Sequence, residues 1–339
     1  MMRYGFWMPV FGGWLRNVAD EGMDASWDYA RRLTLNAERW GYDLTLIAEL
    51  NLNDIKGTDQ PALDAWSTAA ALAAVTQSIE LMVAVRPNFH HPALFAKAAA
   101  NIDRISGGRL ALNVVSSWWA DEARQYGLQF DQHDDRYART AEWLQVVNGL
   151  WTEERFSFAG QFYQTQDAIC APKPAAHPTV YAGGESEAAK TMIAAKCDAY
   201  VMHGDPADIV ASKITDMAAR REAAGGPPMQ YGMAAYAIVR DSEAEARREL
   251  ERITTVGELP AGYANFDQWL SGTQLEREMK LQEYAVSNRG LRPGLVGTPE
   301  QIKQRIADYE GAGLGLLLLQ MSPQEEEMQR FAAQVMGTA

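Results

Sequence analysis

Short apolar segments alternate with longer amphipathic segments along most of the chain. The short segments contain few polar residues, which is typical of strands buried on both faces of a parallel sheet. The longer segments repeat their apolar residues at a helical period. Eight strands are predicted, at Tyr4–Pro9, Leu44–Ala48, Leu81–Val85, Leu110–Val115, Thr179–Ala182, Ala199–Met202, Gly232–Val239 and Leu314–Leu319. Eight helices are predicted, at Ser26–Trp40, Ala65–Thr76, Pro92–Ser106, Tyr137–Trp151, Glu185–Lys196, Pro206–Ala224, Ser242–Ile253 and Pro299–Ala312.

This alternation predicts parallel β-α-β units. Eight strands favour a closed (β/α)8 TIM barrel, and a doubly wound open sheet is the alternative. Two segments interrupt the pattern. Residues 156–178 predict a hairpin followed by a proline-rich connection. Residues 256–293 are polar and aromatic, and their length is typical of a lid, a binding loop or a disordered segment. Trp269 and the basic end "NRGLRPG" favour a mobile lid. We therefore expect residues 1–339 to form a single barrel domain with this lid inserted.

Charge and composition narrow the classes of function. The chain of 339 residues is 47% hydrophobic and carries a formal net charge of −13. A nucleic-acid or anionic-membrane partner would require a basic face, so neither is expected. The start of the chain predicts a strand, and no signal peptide is expected. The two cysteines and five histidines have no metal-ligand spacing, so we expect no metal site and a cytoplasmic location.

In a barrel, chemistry occurs at the carboxyl ends of the strands. Two segments there are suited to an anion. In "YAGGESEAAK", Gly184 allows a close backbone approach, and Ser186 lies at a helix start where free N–H groups favour negative charge. In "DQHDDRYART", His133, Arg136 and Tyr137 are suited to a phosphate. The alternatives are an ordinary glycine turn and a helix-capping cluster. Walker and Rossmann glycine motifs are missing from the sequence, which argues against both of those nucleotide sites.

Other strand ends carry aromatic and titratable groups. Trp118 and Trp119 follow the strand "LALNVV", where they are suited either to a wide planar ligand or to simple packing over the barrel mouth. The pair His90-His91 follows the third strand and is either catalytic or a hydrogen-bonded loop feature. The sequence has no Gly-x-Ser-x-Gly motif for a serine nucleophile.

Several longer motifs together resemble one family. They are "FWMPVFGGW", "IDRISGGRLALNVVSSWW", "HDDRYARTAEWLQVVNGLWTEERFSFAGQFY", "YAGGESEAA" and "GLVGTPEQI", and they follow one another over nearly the whole chain. The chain resembles the bacterial-luciferase-like, two-component flavin monooxygenases. Within them it is most similar to the branch that acts on alkanesulfonates and dimethyl sulfone.

The resemblance implies FMN at the mouth of a TIM barrel, reduced by a separate NAD(P)H:FMN reductase. It further implies that reduced FMN and O2 oxidatively cleave a C–S bond of a small organosulfur substrate through a flavin peroxide. Oxygenation of a pyrimidine-type ring, deazaflavin-dependent redox chemistry and non-catalytic flavin binding are the alternatives. The family is also associated with homodimers and homotetramers.

The resemblance and the residue patterns described above together assign roles to residues. Cofactor-binding residues would be Glu49, Leu50, Asn113, Glu122, His133, Arg136, Tyr137, Gly184 and Ser186. The substrate pocket would contain Trp7, Ser116, Trp118 and Trp119, and the catalytic candidates are His90, Tyr236, Arg289 and Arg292.

The chain also departs from its alkanesulfonate-oxidising relatives. Ala234 and Tyr236 stand where they carry Arg and His, and the cysteine after the second strand is missing. This departure favours a neutral sulfone, or a sulfonate held only by Arg289 or Arg292.

Overall fold

The eight predicted barrel strands close into a parallel barrel in a computed structural model, which describes residues 1–255, 263–272, 274 and 281–338. The strands are β1 (Arg3–Met8), β2 (Leu44–Ile47), β3 (Glu80–Val85), β4 (Leu110–Val114), β5 (Phe156–Ala159), β6 (Gln164–Ala168), β7 (Thr179–Ala182), β8 (Ala199–Met202), β9 (Gln230–Tyr236), β10 (Ile238–Val239), β11 (Val296–Gly297) and β12 (Leu316–Gln320). Their order around the barrel is β1-β12-β9-β8-β7-β4-β3-β2, and every pairing is parallel. The predicted TIM barrel is confirmed, and the open-sheet alternative is wrong.

Helices surround the barrel and bury their apolar faces against its outer surface. They are α1 (Trp27–Arg39), α2 (Ala65–Val75), α3 (Pro92–Ser106), α4 (Ala120–Gln125), α5 (His133–Thr152), α6 (Glu187–Lys196), α7 (Ala207–Ala223), α8 (Glu243–Thr254), α9 (Phe266–Gly272), α10 (Pro299–Gly311) and α11 (Gln324–Phe331). None of the helices in these described ranges is both long and apolar enough to span a membrane.

Burial on both faces explains the apolar strands. All five residues of β12, "LLLLQ", are buried, because one face of the strand meets the barrel interior and the other meets the helices. A separate interior cluster fills the barrel and includes Leu46, Met82, Tyr181 and Leu318. The strand register places Asn113 on β4 beside Ala84 on β3, so an amide lies near the open end of this apolar interior.

The sequence pattern differs from the structure at one strand. The predicted strand Gly232–Val239 is divided at Ala237, whose N–H donates to the Gln320 carbonyl at 3.1 Å. Beyond it, Ile238–Val239 leaves the barrel and pairs in parallel with Val296–Gly297. The two pieces are equally apolar, so periodicity does not separate them. The pattern also omits α4, α9 and α11, whereas the predicted hairpin is confirmed as antiparallel β5–β6.

The predicted lid lies partly outside the described residues, namely at 256–262, 273 and 275–280. Its described parts contain α9 and two short 3-10 turns, Leu281–Ala285 and Ser287–Arg289. Trp269, Tyr284 and Ser287 from these parts line the cavity at the barrel mouth. This insertion therefore covers the carboxyl ends of the strands, and its movement as a lid stays a prediction.

Candidate active site

A cavity of about 260 Å³ lies at the carboxyl end of the barrel, under the insertion. The ends of seven barrel strands and the first turn of α5 contribute to its wall. Ten of the predicted site residues line it: Trp7, Glu49, Leu50, Asn113, Ser116, Trp118, His133, Arg136, Tyr137 and Gly184. The barrel thus gathers side chains from 7 to 184 in the sequence at one place.

The remaining predicted residues lie around this cavity without lining it. Ser186 caps α6, Glu122 lies behind Arg86, and Trp119 is buried with its ring stacked 5.3 Å from that of Trp118. His90 contacts Glu49 from outside the cavity wall.

Tyr236, Arg289 and Arg292 lie away from the lining. Tyr236 is buried in a separate apolar cluster with Leu15 and Val286, where burial raises the pKa of its phenol well above the ordinary value. Arg289 is fully buried in ion pairs, and Arg292 pairs with Glu283 at 2.6 Å. The geometry therefore gives these three residues structural partners in place of direct access to the cavity.

One end of the cavity has the features of an anion site. Space is so limited here that a Cβ on Gly183 would lie 2.6 Å from the Val201 carbonyl oxygen. A Cβ on Gly184 would lie 2.6 Å from the Cβ of Ala189. The chain then enters α6, where the Ser186 hydroxyl accepts from the Ala189 N–H at 3.2 Å. The two glycines therefore allow the chain to pack closely against β8 and α6 at the positive end of that helix.

Side chains from the start of α5 complete this end. Arg136 is buried, donates to the Ser117 carbonyl and lies over the Phe130 ring at 4.8 Å. Burial raises the pKa of Tyr137, while its hydrogen bond with Ser186 and the nearby Arg136 oppose that rise. The phenol therefore stays protonated and can donate to an anion. We refer to His133, Arg136, Tyr137, Gly184 and Ser186 as the anion end.

The wall formed by β2 and β3 carries a chain of charged groups. Glu49 accepts from the Arg86 backbone N–H at 2.7 Å and contacts His90 Nε2 at 2.5 Å. The Arg86 guanidinium pairs with Glu122, whose side chain is completely buried. Glu122 also accepts from the Asn51 N–H at 2.5 Å. Arg86 is consequently oriented and neutralised by two carboxylates, a role that the sequence does not reveal.

A second ion pair ties the insertion to the barrel. Arg16 donates to Asp54 at 2.5 Å, and both side chains are buried. The Arg16 guanidinium lies 4.0 Å from the centre of the Tyr284 ring, and Asn265 donates to Asp54 at 2.9 Å. Tyr284 and Asn265 belong to the insertion, so its described parts are anchored on this pair.

The wall formed by β7 and β8 contains a buried charge cluster. Lys213 donates to Glu185 at 2.6 Å and to Asp205 at 2.8 Å. Arg289 pairs with Glu185 and lies 3.7 Å from Asp205. Burial raises the pKa of Glu185, but His203, Arg289 and Lys213 outweigh it and lower that pKa to about 2. Glu185 is therefore ionised and matched by cations despite its position beside the anion end.

Three aromatic side chains of the cavity wall carry a buried polar atom without a hydrogen-bond partner in the described part of the chain. They are the indole Nε1 of Trp7, the imidazole Nδ1 of His203 and the phenol oxygen of Tyr284. Buried polar atoms are normally satisfied, and unsatisfied ones call for a ligand or water. The cavity is thus prepared for a molecule that has hydrogen-bonding groups of its own.

The fold and this site define a TIM-barrel protein with an anion end and an aromatic mouth. The luciferase-like monooxygenase family matches residues 2–315, and the chain belongs to this family. The chain is 32% identical over 345 residues to an FMNH2-dependent dimethylsulfone monooxygenase of Pseudomonas putida, with 99% of this chain and 94% of the relative covered.

Solved structures show the same fold. Riboflavin lyase, determined with a modified FMN and riboflavin, superimposes with a TM-score of 0.83 at 20% identity and covers 99% of this chain and 91% of its own. DmoA from Hyphomicrobium sulfonivorans also has a TM-score of 0.83, at 18% identity, covering 99% of this chain and 87% of its own.

Sequence reasoning does not single out Arg16, Asp54, Arg86, Glu185 and His203 for the site. The strand-end rule marks Arg86, Glu185 and His203, which closely follow β3, β7 and β8, but it gives them no role. Arg16 and Asp54 have no sequence signal, because they meet only through the folding of two loops.

Proposed function

We propose that the protein is an FMNH2- and O2-dependent monooxygenase that cleaves a C–S bond of a small, neutral organosulfur compound such as dimethyl sulfone. A separate NAD(P)H:FMN reductase would supply the reduced flavin, and the enzyme would act as a homodimer or homotetramer. Similarity to dimethylsulfone monooxygenases over nearly the whole chain supports this reaction class.

The residues of the cavity are suited to FMN. The anion end would hold the phosphate, since helix N–H groups, a guanidinium and a phenol converge there. Asn113 would offer one donor and one acceptor to the polar edge of the flavin ring, while Glu49 and Leu50 would line its plane. The unpartnered indole of Trp7 supports this fit, because flavin carbonyl oxygens can accept its N–H.

Bound reduced FMN would supply the two electrons that reduce O2, so that one oxygen atom enters the substrate and the other leaves as water. For dimethyl sulfone, the balanced products are formaldehyde, methanesulfinic acid, oxidised FMN and water. The chain's own part is to orient the substrate and exclude bulk water. Trp118, Trp269 and Tyr284 would do this, since they close the mouth as one aromatic cluster.

One observation carries the choice of a neutral substrate. Arg16 and Arg86 line the cavity, and each is paired with a buried carboxylate. Arg289 and Arg292, the expected sulfonate-binding residues, pair with Glu185 and Glu283. A sulfonate would have to compete with these carboxylates, whereas a sulfone needs only hydrogen bonds and an apolar wall.

Coupled turnover tests the proposal. The purified protein is supplied with FMN, NADH, a generic flavin reductase and O2, and is offered dimethyl sulfone or methanesulfonate, with catalase present to remove free peroxide. We expect formaldehyde and methanesulfinate in a 1:1 ratio from the sulfone. Reactions without the monooxygenase measure uncatalysed background. Sulfite released from methanesulfonate would instead establish desulfonation, and no product despite FMN binding would refute the organosulfur substrate.

A further inference from the structure

His203 lies in the cavity wall directly after β8, and the mechanism above gives it no task. Its ring centroid lies 6.5 Å from that of Trp269 in the insertion, at an angle of 59°. Its Nδ1 is buried, and neither ring nitrogen forms a hydrogen bond to any residue in the described ranges. A half-buried imidazole that no protein group satisfies is suited to a ligand in the cavity.

The neighbouring strand leaves space beside this imidazole. Met202 on β8 is paired with Met233 on β9, so the next positions, His203 and Ala234, are neighbours across the barrel wall. Both line the cavity. Because the Ala234 side chain is only a methyl group, a small molecule can occupy the space next to the ring.

Burial keeps the ring neutral. Burial lowers the pKa of His203. The cations Arg289 and Lys213 lower this pKa further, whereas Glu185 and Asp205 raise it, and the net value is about 4. A neutral imidazole has one N–H donor and one acceptor. It can donate to a sulfonyl oxygen, but it offers no positive charge to a sulfonate.

We propose that His203 is a substrate-contacting residue that donates a hydrogen bond to an oxygen of the neutral substrate and thereby selects a sulfone over a sulfonate. This inference rests on the proposed function. The subsite would be formed by His203, Ala234 and Trp269, and burial would keep the ring neutral there. His203 would therefore act on substrate affinity and orientation, while FMN binding would depend on the anion end.

Three variants test the hydrogen bond. His203→Phe keeps an aromatic ring against Trp269 and removes both nitrogens, whereas His203→Asn keeps a donor and an acceptor close to the Nδ1 position. His177→Phe is the matched control, because His177 is an exposed histidine away from the cavity. We expect His203→Phe to raise the KM for dimethyl sulfone at least tenfold, with kcat changed less than threefold. His203→Asn should recover most of the loss.

A titration of the wild-type FMN complex adds a readout that does not depend on a variant's folding. Dimethyl sulfone should shift the imidazole 15N signals of His203, and methanesulfonate at the same concentration should not. FMN affinity and Tm are measured for every variant, and both should match the wild type within error for His203→Phe.

The outcomes separate the two proposals. If the wild type makes formaldehyde and methanesulfinate but His203→Phe has an unchanged KM, the role of His203 is refuted and the proposed function stands. The same holds if His203→Asn is as impaired as His203→Phe, or if His203→Phe loses FMN affinity instead of substrate affinity. If the wild type makes no product from dimethyl sulfone, the proposed function falls, and the inference falls with it.

Discussion

Single residues at the barrel mouth divide into those that line the cavity and those that hold another side chain in place. Arg86 lines the cavity, whereas Glu122 is buried behind it and fixes its guanidinium. His90 stands in the same relation to Glu49. The sequence predicts that Glu122 binds the flavin and that His90 is catalytic. The geometry favours an orienting role for both side chains.

The anion end can be probed with one substitution and two flavins. Removing the Arg136 guanidinium with Arg136→Gln should weaken FMN binding about 10- to 100-fold, because a hydrogen bond to a charged group contributes roughly 1.5–3 kcal/mol. Riboflavin has no phosphate, so its affinity should change less than threefold. Quenching of flavin fluorescence measures both affinities.

Arg139→Gln is the control for that experiment, because Arg139 lies one turn further along α5 and pairs with Asp131. Equal losses for FMN and riboflavin in Arg136→Gln would contradict a phosphate site there.

The Arg86–Glu122 pair should behave as a unit. Glu122→Gln removes the closer of the two carboxylates that pair with the buried Arg86 guanidinium and leaves Glu49 at 3.5 Å. Breaking a buried ion pair typically costs about 3–5 kcal/mol of unfolding free energy. The double variant Arg86→Met/Glu122→Leu should regain part of that loss, since no buried charge remains unpaired. Urea denaturation of Arg86→Met, Glu122→Leu and the double variant measures the coupling. Strictly additive free energies would show that the two side chains do not stabilise each other.

At the scale of elements, the insertion is the part of the chain that converts an open barrel mouth into a cavity. Its described parts are held by Asp54, which binds both Arg16 and Asn265. Trp269 and Tyr284 then pack with Trp118 over the strand ends. The position of the aromatic residues that cover the cavity therefore depends on Asp54, a carboxylate from a different loop.

Loosening this anchor should uncouple flavin oxidation from product formation. Asp54→Asn removes the charge that pairs with Arg16, so water should reach the cavity more often. We expect the fraction of NADH electrons that reduce O2 to H2O2 to rise at least twofold. Hydrogen exchange in residues 263–272 should also become faster. Asp20→Asn, on an exposed loop, serves as the control. An unchanged H2O2 fraction would mean that this ion pair does not keep the cavity closed.

At the scale of the whole molecule, the barrel carries charge in its buried walls as well as on its surface. A buried cluster beside the cavity is formed by Glu185, Asp205, Lys213 and Arg289. The whole chain has a formal net charge of −13. Such a cluster links the stability of the fold to pH, because its groups titrate differently in the folded and unfolded chain.

His203 makes that link measurable. Its pKa is about 4 in the folded protein and about 6.5 when unfolded, so only the unfolded chain takes up a proton between these values. Stability is therefore lost as pH falls from about 6.5 towards 4. Between pH 7.5 and 5, urea denaturation should show wild type losing about 2 kcal/mol more than His203→Phe, as linkage predicts. Parallel losses in the two proteins would contradict a neutral, half-buried imidazole.

The apolar pattern was sufficient for the barrel because its strands are buried on both faces and form continuous apolar segments, whereas its helices bury one face at every third to fourth residue. It failed at Ala237, where two equally apolar pieces belong to different sheets, and at α11, whose acidic first turn obscures the apolar residues. The site residues also divide into those that the sequence predicts and those that it does not. Asn113, Arg136 and Gly184 stand in local motifs at strand and helix ends, so a sequence can mark them.

The sequence by itself determined the eight strands of the barrel and the membership of the luciferase-like family, since both depend on residues close together in the chain. The anion end stays a prediction of the same local kind. Only the tertiary structure decided the charge state of the mouth. Arg289 meets Glu185 across 104 positions and Arg16 meets Asp54 across 38. An arginine is available to an anion only if the fold does not place a carboxylate next to it. The spacing of the two residues in the sequence does not predict the distance between them in space.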